Sequence, residues 1–338
     1  MDFGFSDTQR EIKDTARSFL SERFPAAKVR ELAEAQRYDD ALWQEMVELG
    51  WTGIAVDEDH GGQGLGMVEL ALLCEELGYA CAPTPFMSNT AAALAIAEAG
   101  THAQRAGALP GLAAGTVPGT VGFLEEGTTG SATAELVPDA EAAELIALLG
   151  DGSGLIAEAA RADVSPLSTI DPTRRFATVA ATGGDQLPGD TAAARDLISV
   201  AMAAELTGIA QRAMEMAVAY AKEREQFGRP IGAYQAVSNR CARMLYDTEE
   251  ARSLTYYAAW TADAEPESLA NAAAMAKARA SEAAWAVTNA ALQVHGGIGF
   301  TWEHDLHFLL KRARMGAALY GTAGEHRERV ATLAGLSA

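Results

Sequence analysis

Cysteine is scarce in this chain, three in 338 residues. Cys74, Cys81 and Cys241 show neither the paired spacing of a zinc site nor the even pattern of a disulfide framework. That scarcity predicts no metal centre and a reducing, cytoplasmic location. Positive charge is also short: 26 lysines and arginines face 46 aspartates and glutamates, a net charge of −20. A chain this acidic repels nucleic acid, and no basic stripe offsets the repulsion, so neither DNA nor RNA is expected as a partner. A secretory leader is absent from the sequence, as is any apolar run near the length of a bilayer span, so no membrane association is expected. What is plentiful is apolar content, 49% hydrophobic, enough over this length for two or three domains with large cores.

The densest pattern runs from about Arg195 to Glu328. A first helical stretch, Arg195 to Lys222, places Ile198, Met202, Ile209, Ala213 and Met216 on one wide apolar face, with Glu205 on the same stripe. It ends in Lys222-Glu223-Arg224-Glu225, then Phe227-Gly228, and Pro230 forbids continuation. A second stretch, Gln235 to Trp260, repeats apolar residues at Val237, Met244 and Leu245. Four helices side by side are expected. An arginine beside a helix end and a glycine suits a phosphate, because its planar fork makes two parallel bonds, and it equally suits a structural ion pair. Gly296-Gly297 with Gly299 after an apolar helix lets something approach the backbone closely, and Gln293 brings an amide to the same place. Paired glycines also end ordinary helices.

Taken together and in this order, Arg224-Glu225-Gln226-Phe227-Gly228 and Gln293-Val294-His295-Gly296-Gly297-Ile298-Gly299-Phe300 resemble the signatures of the acyl-CoA dehydrogenase family of flavoenzymes. The resemblance covers most of the chain. It implies a mainly α protein with a small β domain: an N-terminal helical domain over 1–115, a reduced β-sheet middle domain over 116–189 and a C-terminal four-helix bundle over 190–338. It also implies FAD as cofactor and an acyl-CoA as substrate. In the family the two segments grip the pyrophosphate and adenine half of an FAD bound mainly by a neighbouring subunit. Carried over, they implicate Arg224, Phe227, Gln293, Gly296 and Gly297, with Gln235 nearby and Thr322 from the C-terminal Gly-Thr.

Towards the N-terminus, Ser6 and Gln9 form a capping box ahead of Ile12, Ala16 and Phe19 at helical spacing. A helix over Ala41 to Leu49 stops at Gly50. The acidic turn Asp57-Glu58-Asp59-His60-Gly61-Gly62-Gln63-Gly64 lacks the ligand alternation of a calcium loop and resembles a glycine-rich turn of the same family. Glu75-Glu76 reads as a solvated face rather than an acid/base couple. From Thr116 the composition turns strand-forming, with strands expected near Ala132 to Val137, Leu145 to Leu149, Gly154 to Ala157 and Arg175 to Val179 as a small antiparallel sheet or barrel. Asp171-Pro172-Thr173-Arg174-Arg175 is a turn whose arginines either face a phosphate or balance local acid. Helix resumes by about Asp190.

Two departures from the family stand out. The middle segment is short, and it lacks both the Thr-Glu-Pro-x-x-Gly-Ser-Asp-like loop and the Trp-bearing strand that cover the flavin ring in relatives. The family's base, a Glu before Gly-Thr, is here Tyr320, in Leu319-Tyr320-Gly321-Thr322; a phenol with a reference pKa near 10 is a poor base at neutral pH. Glu205 is a weak substitute, on the assumption that burial raises its pKa; the competing reading is a buried glutamate paired with an arginine. Glu325 points elsewhere on its helix. The catalytic base is therefore unassigned. Three readings follow: the incomplete subunit of a heteromeric α2β2 dehydrogenase with a homologous larger partner, of the kind the resemblance links to steroid side-chain degradation; a self-contained homotetramer with an unusual base; or a structural paralogue without redox function. Relatives pass electrons to an electron-transferring flavoprotein, which is a further candidate partner.

Overall fold

The computed structural model describes residues 4–124, 132–181 and 183–336. The first helix, α1 (Asp7–Arg23), starts at the predicted capping box: the Gln9 N–H donates to Ser6 Oγ at 3.1 Å and the Ser6 N–H to Gln9 Oε1 at 2.9 Å. Helices α2 (Ala26–Ala35) and α3 (Asp40–Glu48) follow, then a glycine-rich turn into α4 (Met67–Ala80), α5 (Phe86–Ala99) and α6 (His102–Ala113). Residues 70–78 of α4 are all buried, which makes α4 the central rod of this half, covered on every side. It crosses the first long helix of the C-terminal half, α7 (Thr191–Glu223, N-capped by Asp190), at two glycines. A Cβ on Gly78 would lie 2.0 Å from the Glu205 carbonyl oxygen, and one on Gly208 would lie 1.9 Å from that of Glu75. Only glycine at both positions lets the two backbones come this close.

Burial corrects the reading of Glu75 and Glu76, which are 0% and 1% exposed rather than solvated. The face they present is covered by α1 and by the next long helix, α8 (Gln235–Ala264). Glu75 accepts from Lys13 Nζ at 2.9 Å and from Tyr256 Oη at 2.8 Å, with Arg252 at 3.4 Å; Glu76 is clasped by Arg17. Cations from two helices balance the pair, a structural role.

Among its described residues the middle segment holds seven strands in two sheets: β1 (Gly119–Phe123), β2 (Ala132–Pro138), β3 (Leu145–Leu149), β4 (Gly154–Glu158), β5 (Ala162–Leu167), β6 (Phe176–Ala181) and β7 (Asp185–Gln186). One sheet runs β1-β3-β4-β7 and the other β2-β6-β5. The expectation of a single antiparallel sheet or barrel is corrected on two points. Residues 119–123, expected as a boundary, form β1, and they pair in parallel with β3, Gly119 opposite Leu145. Strand β5 was not anticipated: its residues are mostly exposed, and an edge strand buries too little for periodicity to reveal. Strand β1 lies on α5, which fixes this segment to the helices.

The C-terminal half packs α7, α8, α9 (Leu269–His295) and α10 (Leu306–Ala318), with α11 (Ala323–Leu333) laid against α9. Alanine lines the buried side of α9, including Ala272, Ala273, Ala276, Ala280, Ala283 and Ala284, so α7 and α9 approach closely. Leu245, expected in the apolar stripe of α8, is 48% exposed beside exposed Tyr246, whereas Met244 is buried. Leu245 and Tyr246 thus leave apolar surface exposed on the first half of α8. Among the described residues no helix is long and apolar enough to cross a membrane.

Candidate functional site

At the end of α7 the chain turns through a hairpin, Glu225-Gln226 pairing with Arg229-Pro230. Its two loop residues, Phe227 and Gly228, have φ of 53° and 79°, the conformation a two-residue hairpin demands; Gly adopts it freely and Phe under strain. The strained Phe227 ring is 93% exposed and touches the Tyr234 edge at a centroid distance of 6.5 Å. Arg224 is the C-cap of α7, its N–H donating to the Tyr220 carbonyl at 2.8 Å. Its exposed guanidinium makes no ion pair or side-chain hydrogen bond among the described residues, so of the two readings open for it the structural ion pair is not realised within this chain. Gln235, also exposed, begins α8 after a short 3-10 turn, Ile231–Ala233, that follows the hairpin.

The second signature closes α9. Gln293 is exposed on the last turn, and Gly296 leaves the helix at φ 62° and ψ −138°, a region only glycine occupies readily. A Cβ on Gly296 or Gly297 would meet nothing within 4 Å. Gly297 is therefore not required by this chain's own packing, whereas Gly299 is buried against Leu292 and His295. The two helix ends are joined directly: the Tyr220 ring, one turn before Arg224, stacks on His295, next to Gly296, with centroids 4.7 Å apart. His295 Nδ1–H donates to the Ala291 carbonyl at 2.8 Å, and burial lowers the imidazole pKa, so the stack is neutral. Arg224, Phe227, Gln235, Gln293, Gly296 and Gly297 thus share one corner of the bundle.

Thr322 stands apart from them. It N-caps α11, with its hydroxyl accepting from the Glu325 N–H at 3.3 Å. The preceding carbonyl, Gly321 O, is held by Lys277, sixteen residues before Gln293 on α9, or about 24 Å along the helix. Tyr320, at the family's base position, is 4% exposed, its ring 5.0 Å from Phe123 of β1 and its hydroxyl without a hydrogen-bond partner among the described residues. Burial pushes its pKa further above the ordinary phenol value, so the phenol stays protonated and cannot accept a proton.

Glu205 takes the competing role foreseen for it. It lies between Arg174 and Arg312, with Arg312 Nε donating at 2.6 Å and Arg174 closing the other side. Burial pushes its carboxyl up, but the two guanidiniums outweigh burial and hold it below its ordinary value. The assumption that burial would make it a base is corrected: a carboxylate paired twice is a weak proton acceptor. The same contact settles the arginines of the 171–175 turn, since Arg174 balances Glu205, and Arg175 lies over the Tyr38 ring at 4.5 Å. Among the described residues no cluster of three His, Cys, Asp or Glu side chains could hold a metal ion. Lys277 escaped the sequence reading, although a lone lysine within the alanine run of α9 was a signal: it is fully buried, and burial lowers its pKa to about 7.

Two family models match, the N-terminal domain of acyl-CoA dehydrogenase over residues 6–116 and its C-terminal domain over residues 198–334. The acyl-CoA dehydrogenase IpdE2 of Mycolicibacterium smegmatis is 34% identical over 327 residues, spanning 96% of this chain and 98% of that protein. This chain belongs to the acyl-CoA dehydrogenase family. Like the family, it is an oxidoreductase, and its cofactor is FAD. Among solved structures, a variant of the Tcur3481-Tcur3483 steroid ACAD superposes with a TM-score of 0.88 at 28% identity, covering 97% of this chain and 98% of that one. The ChsE4-ChsE5 complex from Mycobacterium tuberculosis superposes with a TM-score of 0.91 over 100% of both chains, at 24% identity, a likeness of fold.

The residues present fit one end of an FAD better than the other. The free Arg224 guanidinium and the open Gly296-Gly297 backbone offer charge and space to a pyrophosphate. Around Tyr320 the space is filled by the chain's own aromatic rings.

Proposed function

We propose that this chain is the catalytically incomplete subunit of an α2β2 acyl-CoA dehydrogenase, acting with a homologous larger subunit on a steroid-derived acyl-CoA. The observation that carries this reading is Tyr320: the group at the base position is a protonated phenol sealed against Phe123. The proton on Cα of the thioester therefore goes to a base on the partner. The electron pair and hydrogen leave Cβ together, and a double bond forms between the two carbons; FAD, when bound, supplies the acceptor for that hydride. This chain's residues bind and shield. Arg224 would hold the pyrophosphate by charge, Gly296 and Gly297 would admit the nucleotide beside bare backbone, Gln235 and Gln293 would offer amides, Phe227 would supply an apolar ring, and Thr322 would serve at the far end of α9.

The uncovered apolar surface of α8, with Leu245 and Tyr246, supports a partner subunit. The steroid class is supported by the likeness to the steroid ACAD. Transfer of electrons to an electron-transferring flavoprotein completes the reading, and the three free thiols support a cytoplasmic location.

The test is Tyr320→Phe in the complex purified after co-expression with a homologous larger acyl-CoA dehydrogenase subunit. Steady-state acyl-CoA turnover should stay within about two-fold of the parent, since no proton passes through this residue. A loss of a hundred-fold or more would place the base in this chain.

A further inference from the structure

The turn between α10 and α11 is strained and held from several sides. Tyr320 has φ 61° and Gly321 φ 96°; a non-glycine residue in the left-handed region persists only where its surroundings over-determine it. The buried Lys277 ammonium reaches into this turn from α9. It donates to Gly321 O at 2.8 Å, to Ser281 Oγ at 3.1 Å and to Ala317 O, in the last turn of α10, at 3.4 Å. No carboxylate lies within 4.0 Å of it among the described residues. An ammonium buried with no carboxylate in direct contact, and only the more distant Glu325 to attract it, is costly, and an apolar side chain of the same length would fill the space more cheaply. All three of its hydrogen-bond contacts are to acceptors, two of them carbonyls at the foot of α10 and in the turn. A second tie comes from α11, where His326 Nε2–H donates to the Tyr320 carbonyl at 3.0 Å. A side chain at Gly321 would collide with that imidazole, since its Cβ would lie 2.8 Å from Nε2.

We propose that Lys277 is a positioning residue: it fixes the Tyr320–Gly321 turn so that the Tyr320 ring stays packed inside against Phe123 and the Thr322 end of α11 stays in place. Its action is on the turn, through the Gly321 carbonyl, and it touches neither substrate nor cofactor. The link from the turn to cofactor retention rests on the reading of Thr322 given above; the link from Lys277 to the turn does not.

Hydrogen exchange read by mass spectrometry on the full chain tests it. Lys277→Met removes the donors at nearly constant volume, and peptides covering residues 319–326 should then exchange at least ten-fold faster while those of α7 and the remainder of α9 stay as in the parent. Lys277→Gln, which keeps an amide donor, should recover part of that protection, which a purely volumetric role would not give. Should Lys277→Met not fold, Lys277→Gln alone reads the same segment and should show intermediate protection. Unchanged exchange at 319–326, or acceleration spread evenly over α9, would overturn the proposal. FAD content of the complex is measured beside it: a loosened turn with full flavin keeps Lys277 in its role and removes Thr322 from the nucleotide grip.

Discussion

The two ends of α9 are built on opposite principles. Around Gln293 the structure is open: Gly296 and Gly297 with nothing near an added Cβ, an arginine without a partner among the described residues, and aromatic rings such as Phe227 and Phe300, 73% exposed, standing in solvent. Around Lys277 and Tyr320 it is closed: every approach is filled, a strained turn is tied from two helices, and even a charged group has been enclosed. Charge is handled in the same two ways, since Arg224 is bare at one end while Arg174 and Arg312 are spent on Glu205 near the other. A self-sufficient enzyme would open where its base stands. This chain is open beside the two glycine signatures and closed at the position where the family's base stands, the contrast that motivates the proposal of a shared active site.

Breaking the closed region should have the largest effect. Glu205→Ala leaves two arginines buried without their counter-charge and should cost about 3–5 kcal/mol in urea denaturation. Its linkage has a definite sign: because the folded pKa lies below the unfolded one, the carboxylate's stabilisation is present above about pH 4.5 and is lost as pH falls through the folded value, and the variant should lack that loss. Gly296→Ala comes next, since alanine is forced into a glycine region; about 1–3 kcal/mol of stability should disappear although the added methyl meets no atom of this chain. Arg224→Ala should leave the fold intact and lower FAD retention by the complex, by about ten-fold in dissociation constant, measured by flavin fluorescence on dilution. Unchanged retention would remove the main assignment at the open end.

The smallest effect is a slope. Lys277 binds its proton less tightly folded, at about 7, than unfolded, near 10.5, so between those values the unfolded chain carries more protons and stability rises with pH. The parent should gain up to about 1.4 kcal/mol per pH unit from this group above pH 7, and Lys277→Met should gain nothing from it. Equal slopes in urea denaturation at pH 7, 8 and 9 would show that the lysine is not sealed as described.

Much of this contrast between open and closed regions was legible in the sequence. The capping box at Ser6, the long helix ending at Arg224, and the glycines after Gln293 are local signals, and the structure places each element where its sequence pattern implied. Tyr320 could be recognised as a departure because a motif has a fixed register. What could not be read was burial at a distance. Glu75 and Glu76 look like a wet face until α1 and α8 are known to cover them, and Glu205 looks like a base with a raised pKa until Arg174 and Arg312, 31 and 107 residues away in sequence, are brought against it. Strand β1 was missed for a related reason, because its parallel partner β3 lies beyond the whole of β2. Leu245 failed in the other direction: its spacing is that of a core residue, yet it stands 48% exposed.

Flavin stoichiometry tests the divided site most directly. The chain is purified alone and again with its co-expressed partner, and FAD per polypeptide is read from absorbance together with the mass of each species. The account predicts little or no flavin in the isolated chain and one FAD per pair of unlike subunits in the complex. One FAD per chain in the isolated protein, with turnover of an acyl-CoA, would contradict it.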